Sequence, residues 1–140
     1  MSHLDPIAIR LRASQFIAHN AHNLASGPTF FTDHKFFGKA YPAYEAAYDS
    51  IVERMIGLGE KPDLTDITTK AARELQMTGD IMTGGTSPIE CYESLLEGER
   101  ELLDLIAKCC EEVSCGTSNL LANLADDAEV RIYQINQRIA

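Results

Sequence analysis

Three of the four histidines of this 140-residue chain fall in one stretch, AHNAHNLASGPTFFTDHKFF, from Ala18 to Phe37. His19 and His22 are one helical turn apart, and His22 and His34 flank the sequence Gly27-Pro28, which breaks helices. Farther along, Asp49 and Glu53 are four residues apart, the spacing that sets two carboxylates on one face of a helix. Imidazole nitrogens with carboxylate oxygens form a donor set for first-row divalent metals, zinc and manganese included. The competing reading of the same residues is a pair of satisfied core histidines beside a salt-bridged helix face.

Other chemistries lack their residues. The glycines of TGDIMTGGTS have neither a P-loop lysine nor a strand-to-helix setting, so this segment is a loop and not a phosphate cradle. No nucleophile and base stand together in a hydrolase pattern. Cys91, Cys109, Cys110 and Cys115 lack C-x-x-C spacing, and a vicinal pair points to different helix faces. They read as reduced packing residues, with a thiolate metal site as the alternative. A net charge of -9, with no Lys/Arg cluster in MSHLDPIAIRLR or RIYQINQRIA, disfavours a nucleic-acid partner. No apolar run is long enough to span a bilayer and no secretory signal opens the chain, so the expected setting is cytoplasmic, without membrane contact.

The elements that position these groups are helical throughout. Leu4, Ile7, Leu11, Ala18 and Ala25 follow helical steps over residues 4–26, which we label helix A. Helix B begins at a Thr29 cap, carries Asp33 in its first turn and runs to about Leu58, before Gly59 and Pro62. Pro42 inside it presses on the carbonyl of Gly38, four residues back; a glycine there lets one continuous helix bend, while a break near Ala40 is the alternative. Residues 61–87 form a long connection with a short amphipathic helix around Thr65 to Met77. SPIE at Ser87 to Glu90 is a capping box that opens helix C, which Gly116 should end; Thr117 or Ser118 should then cap helix D. Four long helices with a long B-to-C crossover carrying a short helix describe an all-α, ferritin-like four-helix bundle, with residues 1–140 as a single domain.

A bundle that holds two metals inside one subunit draws a Glu-x-x-His pair from each of two helices. No histidine follows His34, so helices C and D cannot complete that set. At about 1.5 Å rise per residue, His34 and Asp49 lie roughly 22 Å apart along helix B, so one chain cannot close a site from all four groups. Two copies of helix B packed antiparallel about a twofold axis would set His22 and His34 of one chain opposite Asp49 and Glu53 of the other, twice.

The run HNAHNLASGPTFFTDHKFF followed by AYEAAYDSIVERMIGLG resembles the Dps family of mini-ferritins. His22, Gly27, Phe30, His34, Asp49, Glu53 and Arg54 match its histidine, Gly-x-x-Phe turn, second histidine and Asp-x-x-x-Glu-Arg motif in order and spacing. Helix D, TSNLLANLADDAEVRIYQI, continues the likeness. The resemblance implies a hollow homododecamer that oxidises Fe(II), preferentially with hydrogen peroxide, and stores ferric mineral as protection against oxidative stress. It implies that His22, His34, Asp49 and Glu53 form an iron ferroxidase centre at the dimer interface. Ligand type, apart from the resemblance, makes Glu53 best placed to bridge two metals, with Asp49 and the histidines as terminal ligands, and leaves zinc as a possible substitute.

The chain departs from that pattern in two places. Asn23 stands where the family usually has tryptophan, and the chain contains none. Gly38 stands where an acidic residue often assists a second metal, which leaves a dinuclear or a partly occupied centre. His19 either joins the ligands or hydrogen-bonds across the interface. Asp126, Asp127 and Glu129 are the acids available to line a threefold pore, or else a solvated face. DNA binding in the family generally depends on a basic tail, which this sequence does not display. Arg54 is expected to pair with a carboxylate, and the stripe Phe30, Phe31, Phe36, Phe37, Tyr41, Tyr44 and Tyr48 to serve packing. The rival to a ferroxidase is a non-catalytic helical oligomer for structure or metal sequestration.

Overall fold

The computed structural model describes residues 2–77 and 83–140. Five helices follow one another: α1 (Asp5–Leu24), α2 (Phe30–Gly57), α3 (Leu64–Met77), α4 (Pro88–Cys109) and α5 (Cys115–Ile139), and no strand occurs among the described residues. Helices A, B, C and D are thus α1, α2, α4 and α5, and the crossover carries α3. The fold is the expected all-α, ferritin-like bundle.

Side-chain pairings fix how the helices run. Between α1 and α2, His22 meets His34, Gln15 bonds Glu45 and Arg12 covers the Tyr48 ring, so numbers rise on one helix as they fall on the other. Glu99 with Arg131 and Tyr92 with Arg138 give the same antiparallel relation for α4 and α5. The core between them is built from one stripe of each helix, including Ile7 and Leu11, Phe37 and Ile51, Leu95 and Leu102, and Leu121 and Ile135, all essentially inaccessible. Crossover helix α3 buries Ile67 and Ala71 and lies against α1.

Local signals explain most helix ends. Pro6 stands in the first turn of α1, where its missing N–H removes no helical bond. The turn to α2 passes through Gly27 at φ +83°, a conformation side chains with a Cβ rarely adopt. Ser87 accepts from the Glu90 amide at 3.2 Å and the Glu90 carboxylate accepts from the Ser87 amide at 3.1 Å, which is the capping box in full. Helix α2 is unbroken through Pro42, so the break near Ala40 does not occur.

Three expectations are corrected. Thr29 is the residue before α2, but its hydroxyl caps no backbone amide; it donates to the Asp33 carboxylate at 2.6 Å. Helix α4 ends at Cys109, and Gly116 lies inside the first turn of α5. Ser114 is the α5 cap, accepting from the Thr117 amide, and Val113 falls in the connecting turn. Thr117 is wholly buried instead of capping. Of the aromatic stripe, Phe37, Tyr44 and Tyr48 are core, whereas Phe31 is 85% exposed and packs into no core. The loop expected over residues 78–87 lies partly outside the described residues; within them, Gly85 turns the chain at φ +90°.

Candidate metal centre

The Gly27 turn brings the end of α1 back onto the start of α2 and places His22 beside His34. Their rings stack with centroids 3.8 Å apart, and the Phe30 ring also stacks on His34, at 4.9 Å. His22 Nδ1 is 2.9 Å from the main-chain oxygen of His34. A carbonyl only accepts, so Nδ1 carries a proton, and in the neutral ring this leaves the lone pair on Nε2. A backbone carbonyl that orients one ring nitrogen and frees the other is a common support for a metal-binding histidine. Both rings are half-buried, which leaves an edge within reach of solvent or of a neighbouring molecule.

Asp49 and Glu53 lie farther along α2, on its exposed side, and neither makes a hydrogen bond or ion pair with another described residue. Glu53 borders a cleft of about 560 Å³ shared with Ser50, Arg54 and Ser114. Within the described residues of one chain, no three His, Cys, Asp or Glu side chains converge to hold a metal. The structure therefore unites the two histidines and keeps both carboxylates away from them, as the helical rise along α2 requires.

The other singled-out residues are distributed as follows. His19 is exposed and lies flat on the Tyr41 ring, with centroids 4.1 Å apart and planes within 2°. Tyr41 also approaches His22, at 5.5 Å. Asn23 is exposed. Arg54 does not pair with a carboxylate among the described residues; it donates to the Thr117 hydroxyl at 3.3 Å. Asp126, Asp127 and Glu129 are exposed on α5. Cys91 and Cys109 are buried as packing residues, but Cys115 is exposed, and all four cysteines are free.

Two buried polar clusters have no counterpart in the sequence reading. Glu99, fully buried on α4, accepts from the Tyr44 hydroxyl at 2.6 Å and from Arg131 Nε at 3.1 Å. The Arg131 guanidinium also lies over the Tyr44 ring, 4.5 Å from its centroid. Burial raises the Glu99 carboxyl above its ordinary range, against the pull of Arg131, Tyr44 and Arg10; burial and the Glu99 charge raise Tyr44 strongly. Drawn from α2, α4 and α5, these groups meet in the bundle core, the region where helical bundles build metal sites from side chains on facing helices. Asp33, also fully buried, accepts from Tyr92 at 2.8 Å, from Thr29, and from two nitrogens of Arg138 at 3.0 and 3.1 Å. Burial works to raise its pKa, but these bonds and the Arg138 charge outweigh it and hold the carboxyl below the ordinary range. A sequence signal existed: Glu99 follows Leu95 by four and precedes Leu102 by three, and Arg131 follows Ala128 by three and precedes Ile135 by four. Both charges therefore stand on apolar stripes.

No described helix is long and apolar enough to cross a membrane. Residues 7–139 match the family model described as a ferritin-like domain. The chain is also similar to a DNA protection during starvation protein of Brevibacillus brevis, at 29% identity over 111 residues. That stretch covers 79% of this chain and 64% of the relative, so the chain spans less than two thirds of that protein's length. A family match over almost the whole chain and a bundle with a crossover helix agree: the chain belongs to the ferritin-like domain family.

Proposed function

We propose that this chain is a ferroxidase and iron-storage subunit whose metal sites form between two copies, each contributing His22 and His34 from one chain and Asp49 and Glu53 from the other. The observation that carries this reading is the His22 ring: its Nδ1–H is committed to the His34 carbonyl, and its free Nε2 lies beside a second imidazole at a partly open edge. Two carboxylates on the same helix have no partner among the described residues of their own chain and cannot reach those rings within it. Imidazoles suit Fe(II), and carboxylates hold the harder Fe(III) as it forms. With hydrogen peroxide as oxidant, two Fe(II) ions give up one electron each. Those electrons and two protons from solvent cleave the O–O bond of one peroxide to two waters. The assembly in this proposal is a hollow homododecamer that holds ferric mineral in a single-domain, cytoplasmic protein, with Asp126, Asp127 and Glu129 as candidate acids of a cation entry path and no nucleic-acid partner.

The test mixes metal-free protein with Fe(II) and hydrogen peroxide and follows ferric absorbance and solubility. The wild-type chain should form soluble ferric mineral rapidly, and the His22→Ala, His34→Ala double variant should be slow. Equal rates would overturn the site and favour a non-catalytic oligomer.

A further inference from the structure

Gly38 is on α2, one turn beyond His34 and four residues before Pro42. A Cβ built on it would stand 3.0 Å from both Cε1 and Nδ1 of His22. Real Cβ contacts are almost never closer, so any other residue at 38 must move the ring. The His22 ring is thus confined by three neighbours. The α2 backbone at Gly38 faces one edge, the His34 carbonyl takes the Nδ1 proton at 2.9 Å, and the His34 ring covers one side at 3.8 Å.

We infer that Gly38 is a positioning residue for His22: its missing side chain lets the imidazole lie against α2 with Nδ1–H on the His34 carbonyl, which leaves Nε2 as the only ring donor for a metal. The consequence for metal binding rests on His22 being a ligand, as proposed above. Displacing the ring by the few tenths of an ångström that a methyl group demands lengthens the hydrogen bond from Nδ1–H to the His34 carbonyl and releases the tautomer. A second explanation of the glycine competes with this one. Pro42 lacks an N–H and its ring abuts the Gly38 carbonyl, so the glycine could instead serve the helix at Pro42.

Two measurements on metal-free protein separate these explanations. First, nitrogen-15 NMR of the histidine rings, above the imidazole titration, should find wild-type His22 with its proton on Nδ1, and Gly38→Ala should shift it toward the Nε2–H form. A wild-type His22 already protonated on Nε2 would overturn the inference. Second, melting temperatures in a double-mutant cycle should show Gly38→Ala lowering stability in the wild-type background and raising it in a His22→Ala background, where the crowding is gone and alanine is the better helix former. Destabilisation by the same amount in both backgrounds would assign the glycine to Pro42 and refute the role.

Calorimetry with Zn(II) alone then reads the metal consequence. Loss of a supporting interaction of this kind weakens metal affinity by roughly 10–100-fold, the change expected for Gly38→Ala. Equal Zn(II) affinity in wild type and Gly38→Ala would refute positioning while leaving the metal site intact. Equal Zn(II) affinity in wild type and His22→Ala would refute the ligand assignment itself.

Discussion

Replacing Arg131 with methionine removes the guanidinium that bonds Glu99 but keeps an apolar side chain of similar reach. Glu99 is fully buried and Arg131 is 15% exposed, so the pair is little screened by solvent. Breaking a buried pair by deleting one partner typically costs about 3–5 kcal/mol. The carboxylate has one escape, which is to take up a proton. At pH 7 that costs about 1.4 kcal/mol for each unit between pH 7 and its pKa, or roughly 3.7 kcal/mol from the ordinary Glu value near 4.3. Burial already pushes Glu99 upward, so protonation is cheaper than that ceiling, and the Tyr44 hydroxyl remains as a partner. We expect a loss of about 3 kcal/mol at pH 7. The accompanying sign is specific: with the folded pKa of Glu99 above its unfolded value, the native state binds more protons, so stability falls as pH rises between the two values. The variant should therefore recover stability on acidification from pH 7 toward 5, more steeply than the wild-type chain. Adding Glu99→Gln should restore most of the loss and flatten the slope. Urea unfolding at fixed protein concentration reads all three, since assembly makes apparent stability depend on concentration. A loss under about 1 kcal/mol without a pH slope would show that the pair contributes little to the fold.

The second cluster responds in the opposite sense. Asp33 has a lowered pKa, so its contribution is present above the unfolded value near 3.9 and disappears as pH falls through the folded one; Asp33→Asn should be less stable at neutral pH and lose less on acidification, as read by urea titrations in both ranges. Cysteine reactivity should follow burial: the Cys91 thiol is pushed up to about 11, by burial first and then by Glu90 and Asp33, whereas Cys115 is exposed. Iodoacetamide at neutral pH should therefore label Cys115 well before Cys91 by peptide mass spectrometry, and equal labelling would contradict the buried placement of Cys91.

What could be read in advance depended on how local its cause was. The Ser87 capping box needs only residues three apart, and the helical stripes need only their own periodicity, so both were legible. The α4–α5 connection was misplaced because Gly116 looks like a stop, while the actual cap, Ser114, accepts from the amide of Thr117, a residue the bundle buries against Arg54. Asp33 reads as an acid favoured by a helix N-terminus, yet its main partner is 105 residues away. Spacing across the Gly27 turn announced the His22 and His34 pair. Its second support did not show: Gly38 reads as relief for Pro42, and only the three-dimensional arrangement puts it against the His22 ring.

The Glu99, Tyr44 and Arg131 cluster sets a rule for anyone redesigning this bundle. Its centre already holds a cation, tied to the carboxylate that an incoming metal ion would need. Grafting a subunit-internal metal site onto this scaffold would thus begin with subtraction: Arg131 has to go before Glu99 can serve as a ligand, and new histidines added around the intact pair would find their carboxylate already taken.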